Sequence, residues 1–117
     1  MNIGIVGLGL IGGSIGLKLQ NLNHTIYGVT NNKKNENKAL ERGLANYVSC
    51  DLGILEKCSL IILALPIKDL IKPSKELIEA IPKKSVLTDV GSVKEPIVNT
   101  WEKIHPLFIG SHPMAGD

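Results

Sequence analysis

The stretch NIGIVGLGLIGGSIG, Asn2–Gly16, constrains this chain more than any other. Asn2–Val6 is short, β-branched and apolar, as a strand buried on both faces should be. Gly7-Leu8-Gly9-Leu10-Ile11-Gly12 follows at once and fits G-x-G-x-x-G. The pattern alone is weak. Placed between a buried strand and the start of a helix, it describes a dinucleotide-binding turn. Gly7 permits the tight turn, Gly9 lets a pyrophosphate approach the backbone, and Gly12 lets helix and strand pack closely. The exposed N–H groups and the positive helix end then hold phosphates. Gly13 and Gly16 each weaken the helix by up to ~1 kcal/mol against alanine, and close packing on the sheet is the expected compensation. An overlapping pattern, Gly12-Gly13-Ser14-Ile15-Gly16, fits the G-x-S-x-G of a hydrolase nucleophile elbow, and Ser14, Asp89 and His112 follow the hydrolase chain order. An elbow serine sits at the strand-to-helix turn itself. Ser14 lies inside the helix, so this reading is set aside.

The rest of the chain repeats the strand–helix alternation. Leu10, Ile15, Leu19 and Leu22 keep helical spacing. His24–Val29 reads as a second strand, Asn35–Arg42 as a polar helix stopped by Gly43, and Tyr47–Ser49 as a weak third strand. Leu52–Cys58 is a short helix or turn, and Ser59–Leu65 an apolar strand ended by Pro66. Ile67, Leu70, Ile71, Leu77, Ile78 and Ile81 predict one amphipathic helix, closed by Pro82. Ser85–Val90, a helix from Glu95 to about Lys103, and Leu107–Gly110 complete the series. Such alternation predicts an α/β fold with a parallel sheet covered on both faces. Right-handed crossovers favour a doubly wound, Rossmann-type sheet in the order 3-2-1-4-5-6, with ligands at the carboxyl ends of the strands.

Composition excludes several classes. The 117 residues suffice for one domain, 1–117, with a single core. A net charge of +2 gives no argument for nucleic acid, and 3% aromatics leave little for stacking bases. Cys50 and Cys58 lack zinc-type spacing and read as free thiols in a reducing cytoplasm; no metal site is expected. No signal peptide precedes the first strand and no apolar run reaches spanning length, so a cytoplasmic protein without a membrane partner is expected.

The second strand bears on the choice of cofactor. An NAD site usually places Asp or Glu there, about 20 residues beyond the glycines, on the ribose 2′-OH. Here Val29 is followed by Thr30, Asn31, Asn32, Lys33 and Lys34, with no acid before Glu36. Thr30, Asn31 and Asn32 can donate hydrogen bonds and Lys33 or Lys34 can supply charge. The reading favours NADP over NAD, although no arginine stands in this loop.

Two further loops fall at the same edge: Asp89-Val90-Gly91-Ser92-Val93-Lys94 and Gly110-Ser111-His112-Pro113-Met114-Ala115-Gly116. Together with GLGLIGGSIG and the LALP of Leu63–Pro66, they resemble the prephenate/arogenate dehydrogenase family of tyrosine biosynthesis, over the entire chain and in the right order. The Val-Thr-Asn-Asn stretch is most similar to the NADP-preferring arogenate branch, with asparagines where arginine would be more typical. The resemblance implies a cofactor site on the glycine turn, Thr30–Lys33, Leu65, Pro66 and Gly91, and a small-molecule substrate, arogenate or prephenate, oxidatively decarboxylated to an aromatic product. It implies His112 as the base beside the ring hydroxyl, a role an imidazole suits because its ordinary pKa of about 6.5 lies near working pH. Ser92 would orient His112 or touch the ring hydroxyl. His24 and His105 carry no such role: one starts a strand at its amino end and the other precedes Pro106 on an expected surface turn. Asp89 is expected to tie its loop to backbone N–H groups.

Members of that family continue into an all-helical domain that closes the site, supplies arginines for the substrate carboxylates and makes the dimer. Arg42, early and on the polar helix, cannot substitute for those arginines. The chain is therefore expected to be the cofactor domain, binding NADP(H) weakly to moderately and turning over substrate poorly alone. Two other readings stay open. One is another β-hydroxy-acid or imine-reducing dehydrogenase, which would lack the histidine loop. The other is a non-catalytic dinucleotide sensor, which leaves GSHPMAG unexplained.

Overall fold

The structure, a computed structural model, describes residues 1–90 and 94–110. Each short apolar run of the sequence becomes a strand: β1 (Asn2–Val6), β2 (Thr25–Val29), β3 (Tyr47–Ser49), β4 (Leu60–Leu63), β5 (Val86–Asp89) and β6 (Phe108–Ile109). They form one parallel sheet in the expected order, β3-β2-β1-β4-β5-β6. β1 lies at the centre, pairing Ile3 with Ile26 on one side and with Leu60 on the other. The helices are α1 (Leu10–Asn21), α2 (Lys33–Glu41), α3 (Ile67–Ile71), α4 (Lys75–Ala80) and α5 (Lys94–Ile104), with a 3₁₀ turn at Leu52–Lys57.

Because side chains alternate across a strand, the central strands β1, β2 and β4 feed two cores. Ile3, Ile5, Ile26 and Ile62 pack with Ile15 and Leu19 of α1 on one face. Val6, Val29, Ile61, Leu63 and Leu87 pack with Leu70, Leu77, Ile97 and Trp101 of α3, α4 and α5 on the other. The sheet is thus covered on both faces and is doubly wound.

Three elements differ from the sequence reading. First, the buried face of α1 is Gly12, Gly13 and Gly16, whereas Leu10 is 93% and Leu22 61% exposed. Glycines let α1 approach β1 and the Leu44 segment more closely than leucines would. A Cβ on Gly12 would collide with the Gly7 carbonyl oxygen. Second, the single helix expected over Ile67–Ile81 is broken between Ile71 and Lys75. Pro73 has no N–H and disfavours helical backbone at Lys72, and the Ser74 hydroxyl restarts the helix by accepting from Leu77 N at 3.1 Å. The freed carbonyls of α3 are taken from α5, by Thr100 Oγ1 on Ile71 O (3.1 Å) and by Trp101 Nε1 on Leu70 O (2.8 Å). Third, His105 is not on a surface turn. It is buried at the end of α5, with Nε2 2.6 Å from Ser85 O.

Candidate functional site

The loops after β1, β2 and β4 open together at the carboxyl edge of the sheet, around a cleft of about 1130 Å³. Its floor is the glycine turn. Gly7 has φ +99°, in the left-handed region, and a Cβ there would strike the Ala64 carbonyl oxygen. Its N–H donates to Val29 O at 2.9 Å, so the turn is tied to β2. Gly7 and Gly12 are therefore required by the fold.

Gly9 is different. It has ordinary extended backbone, and a Cβ there would meet no atom within 4 Å. Neither conformation nor packing within the chain requires a glycine, but a group lying directly against the turn would. Gly9 is also the N-cap of α1 and offers no side-chain oxygen to the first-turn N–H groups. By contrast α2 is capped by Asn32 Oδ1 on Asn35 N (2.8 Å), and α4 by Ser74. With no acid in its first turn, the start of α1 keeps both its donors and its partial positive charge for an external anion. A pyrophosphate suits this cradle.

The far wall is built by the end of β2 and by α2. Thr30 is buried, its N–H donating to Ser49 O at 3.0 Å and its hydroxyl to Asn32 O at 3.3 Å. Asn31 lines the cleft, and its Oδ1 accepts from Asn35 Nδ2 (2.9 Å) and Asn32 Nδ2 (3.2 Å). Its own Nδ2 thus remains as a donor. Asn32, occupied as a cap, and Lys33 lie outside the lining. Lys33 Nζ sits 2.6 Å from Glu36 Oε2. The hydrogen bond from Lys33 holds the Glu36 carboxyl below its ordinary value, against the opposing effect of burial, and the same bond raises Lys33. In place of Lys33, α2 presents Asn35, Lys38 and Arg42 to the cleft.

Leu65 and Pro66 close the cleft on the β4 side, where Pro66 is the N-cap of α3, and the expected residues Leu8, Leu10 and Ile11 also line it. Ser92, His112 and Gly91 lie outside the described residues. Asp89, at the end of β5, is fully buried. Lys38 and Arg42 were missed in the sequence because they are remote from the loop that follows β2. Their common spacing with Asn35 on one helical stripe is the signal that could have found them. Among the described residues no group of His, Cys, Asp and Glu is placed to hold a metal, and no helix is long and apolar enough to cross a membrane.

A family model described as the prephenate dehydrogenase nucleotide-binding domain matches residues 15–117. The chain belongs to this family. The match starts beyond Gly12, so it is independent of the glycine turn on which the geometry rests. Prephenate dehydrogenase of Bacillus subtilis is 32% identical over 120 residues, covering 96% of this chain and 32% of that protein. Among solved structures, Synechocystis arogenate dehydrogenase superposes with a TM-score of 0.78 at 36% identity, over 97% of this chain and 41% of that one. Prephenate dehydrogenase from A. aeolicus, in complex with hydroxyphenyl propionate and NAD+, superposes with a TM-score of 0.82 at 31% identity, over 100% and 43% of the two chains. The chain thus spans about a third of the length of the curated prephenate dehydrogenase it matches.

Proposed function

We propose that this chain is the NADP-binding domain of a dehydrogenase of tyrosine biosynthesis, acting on arogenate or prephenate by oxidative decarboxylation. The observation that carries the reading is the open cradle over Gly9 at the uncapped start of α1. Membership of the prephenate dehydrogenase nucleotide-binding family supports the reaction class. When bound, a nicotinamide cofactor would supply the hydride acceptor.

The residues of the chain do the rest. N–H groups of Gly9–Gly12 hold the pyrophosphate, Thr30 and Asn31 bound the adenosine ribose, and Leu65 and Pro66 flank the route toward the nicotinamide end. Gly91, outside the described residues, is assigned to that end by the family resemblance alone. His112 accepts the proton of the ring hydroxyl as the hydride leaves the same carbon, and Ser92 orients the imidazole. Loss of the ring carboxylate as CO₂ then leaves the electron pair that completes the aromatic ring. The absence of an acid between Val29 and Glu36 supports NADP over NAD, since a carboxylate there would repel a 2′-phosphate.

Fluorescence titration with NADPH and NADH, beside a turnover assay with arogenate and prephenate, tests this reading. Saturable NADPH binding, tighter than NADH, is expected. Absence of binding by either nucleotide would refute it.

A further inference from the structure

We infer that the selectivity for a 2′-phosphorylated adenosine is carried by α2 itself, through Lys38 backed by Arg42, and not by the lysines that directly follow the β2 loop. The inference deepens the NADP reading and rests on it. Four observations lead to it. Lys33 is engaged by Glu36 at 2.6 Å and lies outside the cleft lining, as does Lys34. Lys38 and Arg42 do line the cleft, and both are exposed. No hydrogen bond or ion pair of either side chain is found among the described residues. The two stand four residues apart on one face, where like charges repel and burden the helix. Two unpaired cations held side by side on a cleft wall suit an anion that is not part of the chain.

Direction and reach agree. Helical side chains lean toward the helix N-terminus, so both cations point along α2 toward the Thr30–Asn31 end, where the ribose would lie. At 1.5 Å rise per residue, Lys38 starts about 7.5 Å below Lys33, and its extended four-carbon stem covers most of that rise. Arg42 starts one turn further down, so Lys38 makes the direct contact and the arginine adds charge behind it. The free Asn31 Nδ2 completes a donor set of neutral amide and cations, with no carboxylate on this wall.

The test uses fragments that need only the adenosine half of the site. Adenosine 2′,5′-bisphosphate and 5′-AMP are titrated by calorimetry into the 117-residue chain and into the Lys38→Gln, Arg42→Gln, double and Lys33→Gln variants, with melting curves confirming that each is folded. The chain is expected to bind the bisphosphate more tightly than AMP, with the difference shrinking as salt rises. Lys38→Gln should reduce the bisphosphate affinity on the order of ten-fold, the double variant should abolish the preference, and AMP binding should hold. If the chain prefers the bisphosphate and the double variant keeps that preference, or if Lys33→Gln alone abolishes it, this inference falls while the NADP reading stands. If the unaltered chain shows no preference, or binds neither compound, both fall.

Discussion

At the residue scale, the glycines of the first turn separate into those the fold needs and one it does not. Gly12→Ala drives a methyl into the Gly7 carbonyl, which belongs to rigid backbone, and should cost about 1–3 kcal/mol in denaturant unfolding. Gly9→Ala points its methyl into open space and should leave stability within about 0.5 kcal/mol while weakening NADPH binding. If instead Gly9→Ala destabilised the chain and spared binding, the cradle would be misassigned. The two thiols make a second contrast. Cys50 is exposed and lines the cleft, while burial pushes the Cys58 thiol up to about 11. A thiol reagent at neutral pH should label Cys50 at once and Cys58 only on unfolding, and bound NADPH should slow labelling of Cys50. Because the Cys58 value is raised, its contribution to stability is present below the ordinary value of 9.0 and is lost as pH rises toward 11. Glu36 has the opposite sign. Its carboxyl is lowered from 4.5, so its contribution is present above that value and is lost as pH falls through the lower folded one. Glu36→Gln should flatten that part of the acid unfolding curve.

At the element scale, helix ends and breaks decide how the cleft is framed. The α3–α4 break rests on Pro73 and on the Ser74 cap, and Ser74→Ala should cost about 1 kcal/mol, measured by urea unfolding. Trp101→Phe keeps most of the packing but leaves Leu70 O without its indole donor. It should cost about 1–3 kcal/mol and shift the backbone signals of α3. These elements also show where sequence is legible. The central strands were readable because each is a compact apolar run bounded by Gly, Pro or polar residues, whereas β3, the half-exposed Tyr47–Ser49, gave only a weak signal. The break at Pro73 was not, because the apolar period runs across it from Ile71 to Leu77 without changing face. The buried side of α1 was misread toward Leu10 and Leu22 because glycine carries no hydropathic signal, although glycine is what permits the close approach. His105 looked like a turn residue beside Pro106, yet it continues the buried stripe of Ile97 and Trp101.

At the scale of the whole molecule, the parallel order 3-2-1-4-5-6 brings four sequence-distant segments to one edge. The glycine turn, Thr30–Asn31, Leu65–Pro66 and the inner stripe of α2 share a single cleft. Sequence reached the first three through turn chemistry and motif spacing. It missed the fourth because Lys38 and Arg42 enter the site only when α2 folds back along the sheet. Ser92 and His112, placed on their loops by motif, lie outside the described residues. The start of α1 and the end of β2 are proposed to hold a nicotinamide dinucleotide. The most direct test is an amide NMR titration of the chain with NADPH. Saturable shifts are expected at the N–H groups of Gly7–Gly12 and of Thr30–Asn35, with Ser85 and His105 at the opposite edge unmoved. No shifts at the glycine turn at saturating NADPH, or shifts confined to the opposite edge, would contradict it.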